Sequence, residues 1–201
     1  MKTHDHGHAH GAFGDIERLS QTFDGPEREK WQKPREVIES FDLADDAVVA
    51  DVGAGTGYFA VRLAECVKNG KVIALDAEPN MTEYLKKRAL ALRLKNVDAR
   101  PAMLGDEINL QEKVDLVLCV DVYHHIADRQ GYFSRLPGHL KRGGRIAVID
   151  RLATSSVGSH HAHHMTPQSV KGEMKRAGFL LVRESDLLLP EQFFLLFAPG
   201  V

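Results

Sequence analysis

The chain has 201 residues, with 26 Lys and Arg against 28 Asp and Glu and a formal net charge of −2 when histidine is neutral. That balance, with no long basic run, argues against nucleic acid or an anionic membrane surface as partner, and no stretch of about 18 apolar residues is present to span a bilayer. Two cysteines are too few for a disulfide framework, while 43% hydrophobic residues are enough for a buried core without staples.

The opening MKTHDHGHAHGAFGD places His4, His6, His8 and His10 in alternation among Gly and Ala, which predicts a flexible His-rich tail over residues 1–14. It has no apolar segment of the secretory kind, so a cytoplasmic location is expected. Residues 15–201 are expected to form a single domain. Its first part, 15–41, reads as a helical cap punctuated by Phe23, Trp31, Val37, Ile38 and Phe41 and broken at Pro26 and Pro34.

From residue 47 the pattern alternates. Strand AVVADV (47–52) is followed by a Gly-rich turn and a helix over 58–68, then strand KVIALD (71–76) and a helix over 79–94 that starts on Pro79, where no N–H is needed. A short strand over 96–102, the apolar strand VDLVLCVD (114–121), a helix over 128–141 and strand GGRIAVIDR (143–151) continue it. Such alternation predicts a parallel sheet covered on both faces. The end differs: a loop with His160, His161, His163 and His164, a helix from Thr166, then FLLVRESDLLL and EQFFLLFAP as an antiparallel hairpin at the sheet edge. Cys66 and Cys119 fall in apolar patterns and read as small buried hydrophobes.

The most specific motif is Asp51-Val52-Gly53-Ala54-Gly55-Thr56-Gly57, between a strand and a helix. Glycine permits positive φ and close approach of a ligand to the main chain, and the helix start offers unpaired N–H groups. Tyr58 stands where a dinucleotide fingerprint would want its third glycine. Asp76 ends the next strand, about 20 residues on, where a carboxylate can take both ribose hydroxyls.

VADVGAGTG (49–57), ALDAEPNM (74–81), VDLVLCVDVYHHI (114–126) and LKRGGRIAVID (140–150) together resemble the class I S-adenosylmethionine-dependent methyltransferases, over about residues 35–198. The resemblance implies a Rossmann-like α/β fold with a seven-stranded sheet of order 3-2-1-4-5-7-6, strand 7 antiparallel and helices on both faces. It implies S-adenosylmethionine as cofactor and S-adenosylhomocysteine as product. Carried over by position, Asp51, Gly53 and Gly55 line the methionine and ribose pocket, Asp76 holds the ribose hydroxyls, and Ala77 and Met81 flank the adenine. Met103 and Leu104 supply apolar and backbone contacts in place of an acid, with Asp106 displaced, and Asp121 lies near the cofactor amino group. More narrowly, FDGPEREKWQKPREVI with DVYHHI resembles a group of bacterial methyltransferases whose N-terminal helix folds over the cofactor. That makes Trp31, Gln32 and Arg28 lid candidates, with a core-anchoring Trp31 the alternative.

The polar end of the fourth strand is where an acceptor is expected. His124 is the candidate general base, Tyr123 the candidate for positioning the acceptor, and His125 is expected to face a helix or the core. His124 with His161 or His164 would make a metal site, but a polar surface loop is the reading preferred for that His cluster, so no metal is expected. The resulting expectation is an enzyme that methylates a small-molecule acceptor, as a monomer or homodimer. The alternatives are methylation of a metal or metalloid, disfavoured by the shortage of thiolates, and a cofactor-binding regulatory protein without turnover.

Overall fold

A computed structural model describes Ile16, Ser20 and residues 24–102, 110–157 and 165–200. The predicted 1–14 tail, Met103, Leu104, Asp106 and the cluster His160, His161, His163 and His164 lie outside the described residues. The strands are β1 (Val48–Val52), β2 (Lys71–Asp76), β3 (Val97–Pro101), β4 (Val114–Val120), β5 (Leu140–Arg151), β6 (Phe179–Ser185) and β7 (Gln192–Pro199). They form one seven-stranded sheet of order 3-2-1-4-5-7-6. The pairs among β1 to β5 are parallel, whereas β7 runs antiparallel to both β5 and β6. This is the order expected of a class I methyltransferase.

Alternation along the strands divides the core in two. Ala50, Val52, Val117, Cys119, Ile146 and Val148 point to one face, where Tyr123, Phe133, Val170 and Met174 cover them. Val49, Leu116, Leu118, Ala147 and Ile149 point to the other, under Val37, Phe41, Phe59, Leu63 and Leu85. Strands buried on both faces explain the near-continuous apolar runs in the sequence.

The helices are α1 (Pro26–Gln32), α2 (Pro34–Glu39), α3 (Tyr58–Cys66), α4 (Pro79–Ala91), α5 (Arg129–Ser134) and α6 (Pro167–Arg176). The cap expected as helix over 15–41 breaks at Lys33, whose left-handed backbone (φ 45) ends α1 and starts α2. Lys33 Nζ donates to the Leu187 carbonyl at 2.9 Å, which fastens this corner to the C-terminal hairpin. The helix expected over 128–141 stops at Ser134, and a 3-10 turn (Leu136–His139) follows with Pro137 near its start, since proline cannot donate into a continuing helix. β5 begins three residues earlier than expected, with a register shift against β4 between Val114 and Leu116. Cys119 is buried, but Cys66 is exposed at the end of α3, because it falls on the helix face turned from the sheet. No helix among the described residues is long and apolar enough to cross a membrane.

Candidate active site

Four aspartates stand at or just beyond the carboxyl ends of four neighbouring parallel strands: Asp76 on β2, Asp51 on β1, Asp121 after β4 and Asp150 on β5. Ligands of open α/β sheets sit outside these strand ends, at the point where the strand order reverses, here between β1 and β4.

The β1–α3 turn is held against the end of β2. Gly53 and Ala54 donate backbone N–H bonds to the Leu75 carbonyl at 2.8 and 3.0 Å, and Gly55 N donates to Asp76 Oδ2 at 2.7 Å. Gly53 (φ 72) lies so close to Val122 that an added Cβ would come within 2.4 Å of it, and at Gly57 (φ 85) a Cβ would come within 2.1 Å of Leu85. Gly55 is different: nothing lies within 4 Å of where its Cβ would point. Asp76 Oδ1 accepts from Glu78 N at 2.9 Å, so the turn and the β2–α4 loop share one carboxylate. Burial raises the Asp76 pKa against the two backbone bonds that favour its charge. Ala77 beside it is half-buried and Met81 is buried in the first turn of α4.

Asp51 is less satisfied. It is 3% exposed, and its Oδ2 has no hydrogen-bond partner. Burial, with the charge of Asp76 second, pushes its pKa up to about 7. A buried oxygen without a partner is costly and uncommon.

The cap reaches the same strand ends through side chains. The Arg28 guanidinium lies 4.1 Å from the Tyr58 ring centroid, and Arg62 lies at the same distance. Arg28 also bonds Gln32. Gln32, fully buried, donates from Nε2 to Gln192 Oε1 at 3.0 Å, and Gln192 Nε2 donates to Asp121 Oδ1 at 2.8 Å. The result is a chain of donors running from α1 through β7 to the tip of β4. Asp121 adopts φ 53 and has Arg151 Nε at 3.6 Å. Burial, then the charge of Asp150, raises its pKa. The Arg151 guanidinium in turn lies 5.9 Å from the half-buried Trp31 ring. Asp24 adds a second latch: it accepts from Arg88 at 2.7 Å and from Thr56 Oγ1 at 3.0 Å, tying the segment before α1 to the glycine turn and α4.

Beyond β4 the chain makes a 3-10 turn, Tyr123–His125. Tyr123 is the residue expected to position the acceptor. It is fully buried, stacks on Phe133 at 5.1 Å, and donates its hydroxyl to Glu173 Oε2 at 2.9 Å, a carboxylate also held by Arg129 at 2.7 Å. Its side chain therefore fixes the turn onto α5 and α6. His125, expected against a helix or the core, is exposed, its ring tilted against His124 at 4.1 Å. His124 points elsewhere: its Nδ1 lies 2.9 Å from both oxygens of Asp150, a residue whose side chain is 3% exposed.

Asp150, Gln192 and Arg151 went unnoticed in the motifs. Asp150 carries a signal in retrospect, since it stands one residue before the end of β5, much as Asp76 ends β2. Gln192 carries none, because its partner Gln32 is 160 residues away in sequence. Among the described residues no group of three His, Cys, Asp or Glu is arranged to hold a metal.

Residues 43–178 match the family model described as a methyltransferase domain. The chain is 27% identical over 113 residues to an uncharacterized methyltransferase-like protein of Schizosaccharomyces pombe, covering 56% of this chain and 41% of that protein. It is 27% identical over 153 residues to an arsenite methyltransferase of Halobacterium salinarum, covering 76% and 38% respectively. The chain thus spans about two-fifths of these curated relatives. A crystal structure of a SAM dependent methyltransferase from Aquifex aeolicus superposes with a TM-score of 0.81 at 24% identity, over 90% of this chain and 95% of that one. With the family model matched over most of its length and the sheet order above, this chain belongs to the methyltransferase-domain family.

Proposed function

We propose that the protein transfers a methyl group from S-adenosylmethionine to a small-molecule acceptor. The observation that carries this reading is the unpartnered Asp51 Oδ2, buried at the strand end beside a left-handed glycine turn that leaves open space at Gly55. A cationic cofactor with a ribose fits these residues. Asp51 would face its positive charge, Asp76 has lone pairs left for the ribose hydroxyls, Ala77 and Met81 would border the adenine, and Asp121 would take the amino group. Gly53 and Gly55 would line the methionine and ribose part, while Trp31 and Gln32 would close the cap over it. Met103 and Leu104 are kept as adenine-side candidates from the sequence resemblance.

When bound, S-adenosylmethionine supplies an activated methyl group, which leaves alignment and proton control to the protein. His124, on the turn after β4 and bonded to Asp150 of β5, would face the acceptor. Tyr123 acts at one remove, by holding the turn that carries His124.

The arsenite methyltransferase among the relatives raises metalloid methylation as a rival. Against it, Cys119 is buried in β4 with burial pushing its thiol pKa far up, and Cys66 stands on α3. A soft metalloid prefers several exposed thiolates. The test is incubation with S-adenosylmethionine and fractionated cell extract, following S-adenosylhomocysteine. Formation of it with an organic fraction supports the proposal. Tight binding without turnover across all fractions favours a regulatory binding protein, and turnover with arsenite alone favours the metalloid reading.

A further inference from the structure

Resting on the transfer reading above, we infer that buried Asp150 is a positioning residue that makes His124 Nε2 a proton acceptor, so that the methyl acceptor is a hydroxyl or amine that loses its proton on transfer. Carboxylate oxygens only accept, so a ring nitrogen 2.9 Å from both of them is the one that donates. Nδ1 therefore carries the hydrogen of the neutral ring, and Nε2 is left with its lone pair.

Asp150 is itself held. Its Oδ1 accepts from Arg151 N at 2.8 Å, and its place near the end of β5 is set by pairing with Phe193 of β7. The carboxylate is 3% exposed and the histidine facing it 18% exposed, so the imidazole is the outer member of the pair. A surface ion pair would have both ends in water. The groups facing the imidazole are Asp150 from β5, Asp121 from the end of β4, Arg151 beyond Asp150, and the ring of His125. Burial lowers the His124 pKa, but the Asp150 hydrogen bond and charge, helped by Asp121, outweigh it and the opposing Arg151, and the net direction is up.

A base of this kind matters for some acceptors and not for others. A tertiary amine, a thioether or a trivalent metalloid attacks through a free lone pair and has no proton to give up. A hydroxyl, or a neutral amine that bears an N–H, uses its lone pair to form a bond to the methyl carbon as the carbon–sulfur electron pair departs with sulfur, and the O–H or N–H proton passes to Nε2. The imidazolium so formed keeps Nδ1–H on Asp150, where the negative charge stabilises it.

The test does not need turnover. Nitrogen-15 NMR of histidine-labelled free protein, with the His124 signals assigned through His125→Gln and His124→Gln, reads both tautomer and titration. The expected result is a neutral ring with a bare Nε2, titrating above the usual histidine value, and a midpoint lowered by about one unit or more in Asp150→Asn, which keeps an accepting oxygen but removes the charge. A neutral ring protonated on Nε2 overturns the inference, and so does a midpoint unmoved in the variant. The tautomer is read on the unmutated protein, so misfolding of the variant leaves that arm decisive. Where extract yields a product, replacement of an O–H or N–H hydrogen by methyl supports the acceptor class, and methylation on carbon or a new quaternary ammonium or sulfonium centre overturns it. Loss of S-adenosylhomocysteine formation with the tautomer as stated would instead sink the transfer reading.

Discussion

Asp51 and Asp76 are neighbours at one sheet end, yet their oxygens are differently engaged. Asp76 accepts from two backbone N–H groups, which aim it and leave further lone pairs for hydroxyls. Replacing it with alanine removes the turn's anchor and, on the proposed reading, the ribose partner, so Asp76→Ala is expected to weaken S-adenosylmethionine binding by about tenfold or more in calorimetry. Unchanged affinity would take Asp76 out of the site. Tyr123 provides the opposite case. Its hydroxyl belongs to Glu173, so Tyr123→Phe should cost about 1–2 kcal/mol in denaturant unfolding and leave cofactor affinity as it was. A large loss of affinity with no loss of stability would restore Tyr123 to the pocket.

Among the elements, β1, β2 and β4 lie within a residue of where their apolar runs end, because strands buried on both faces leave their whole length in the composition. The glycine turn was legible for a related reason: backbone at positive φ, here at Gly53, Gly55 and Gly57, restricts residue choice locally. The Lys33 corner was not, since a lysine at φ 45 leaves no compositional mark. Nor was the Arg28–Gln32–Gln192–Asp121 chain, which joins three elements far apart in sequence. Because both glutamine side chains are buried, their amides have no water to fall back on. Gln192→Leu should therefore cost about 2–3 kcal/mol of stability, and it should also increase hydrogen exchange in α1 while β1 to β4 stay protected. Equal protection of α1 in the variant would show that the cap is held by packing alone.

At the scale of the whole molecule, several buried groups respond to pH in the same direction. Asp51 keeps its proton in the folded state up to about pH 7, whereas in the unfolded chain it ionises at the ordinary value near 4. Folding is therefore favoured by this group below pH 4 and loses ground steadily until pH 7, after which the loss is complete. A displacement of three units corresponds to as much as about 4 kcal/mol, an upper bound for a single buried carboxyl. Asp76, Asp121 and His124 are also displaced upward. The carboxylate contributions fade above their ordinary range, and the histidine contribution is full below its unfolded value and fades as pH rises through its folded one. The free protein should then melt several degrees lower at pH 8 than at pH 6, and Asp51→Asn, which cannot ionise, should flatten most of that slope. Saturating S-adenosylhomocysteine should flatten it too, because an ammonium group near these carboxylates stabilises their charged forms. Calorimetric binding in buffers of different ionisation enthalpy should accordingly register proton release between about pH 5 and pH 7 in the wild type and much less in Asp51→Asn. A melting temperature independent of pH over this range, or a slope untouched by the substitution, would place the unpartnered oxygen of Asp51 outside the binding reaction.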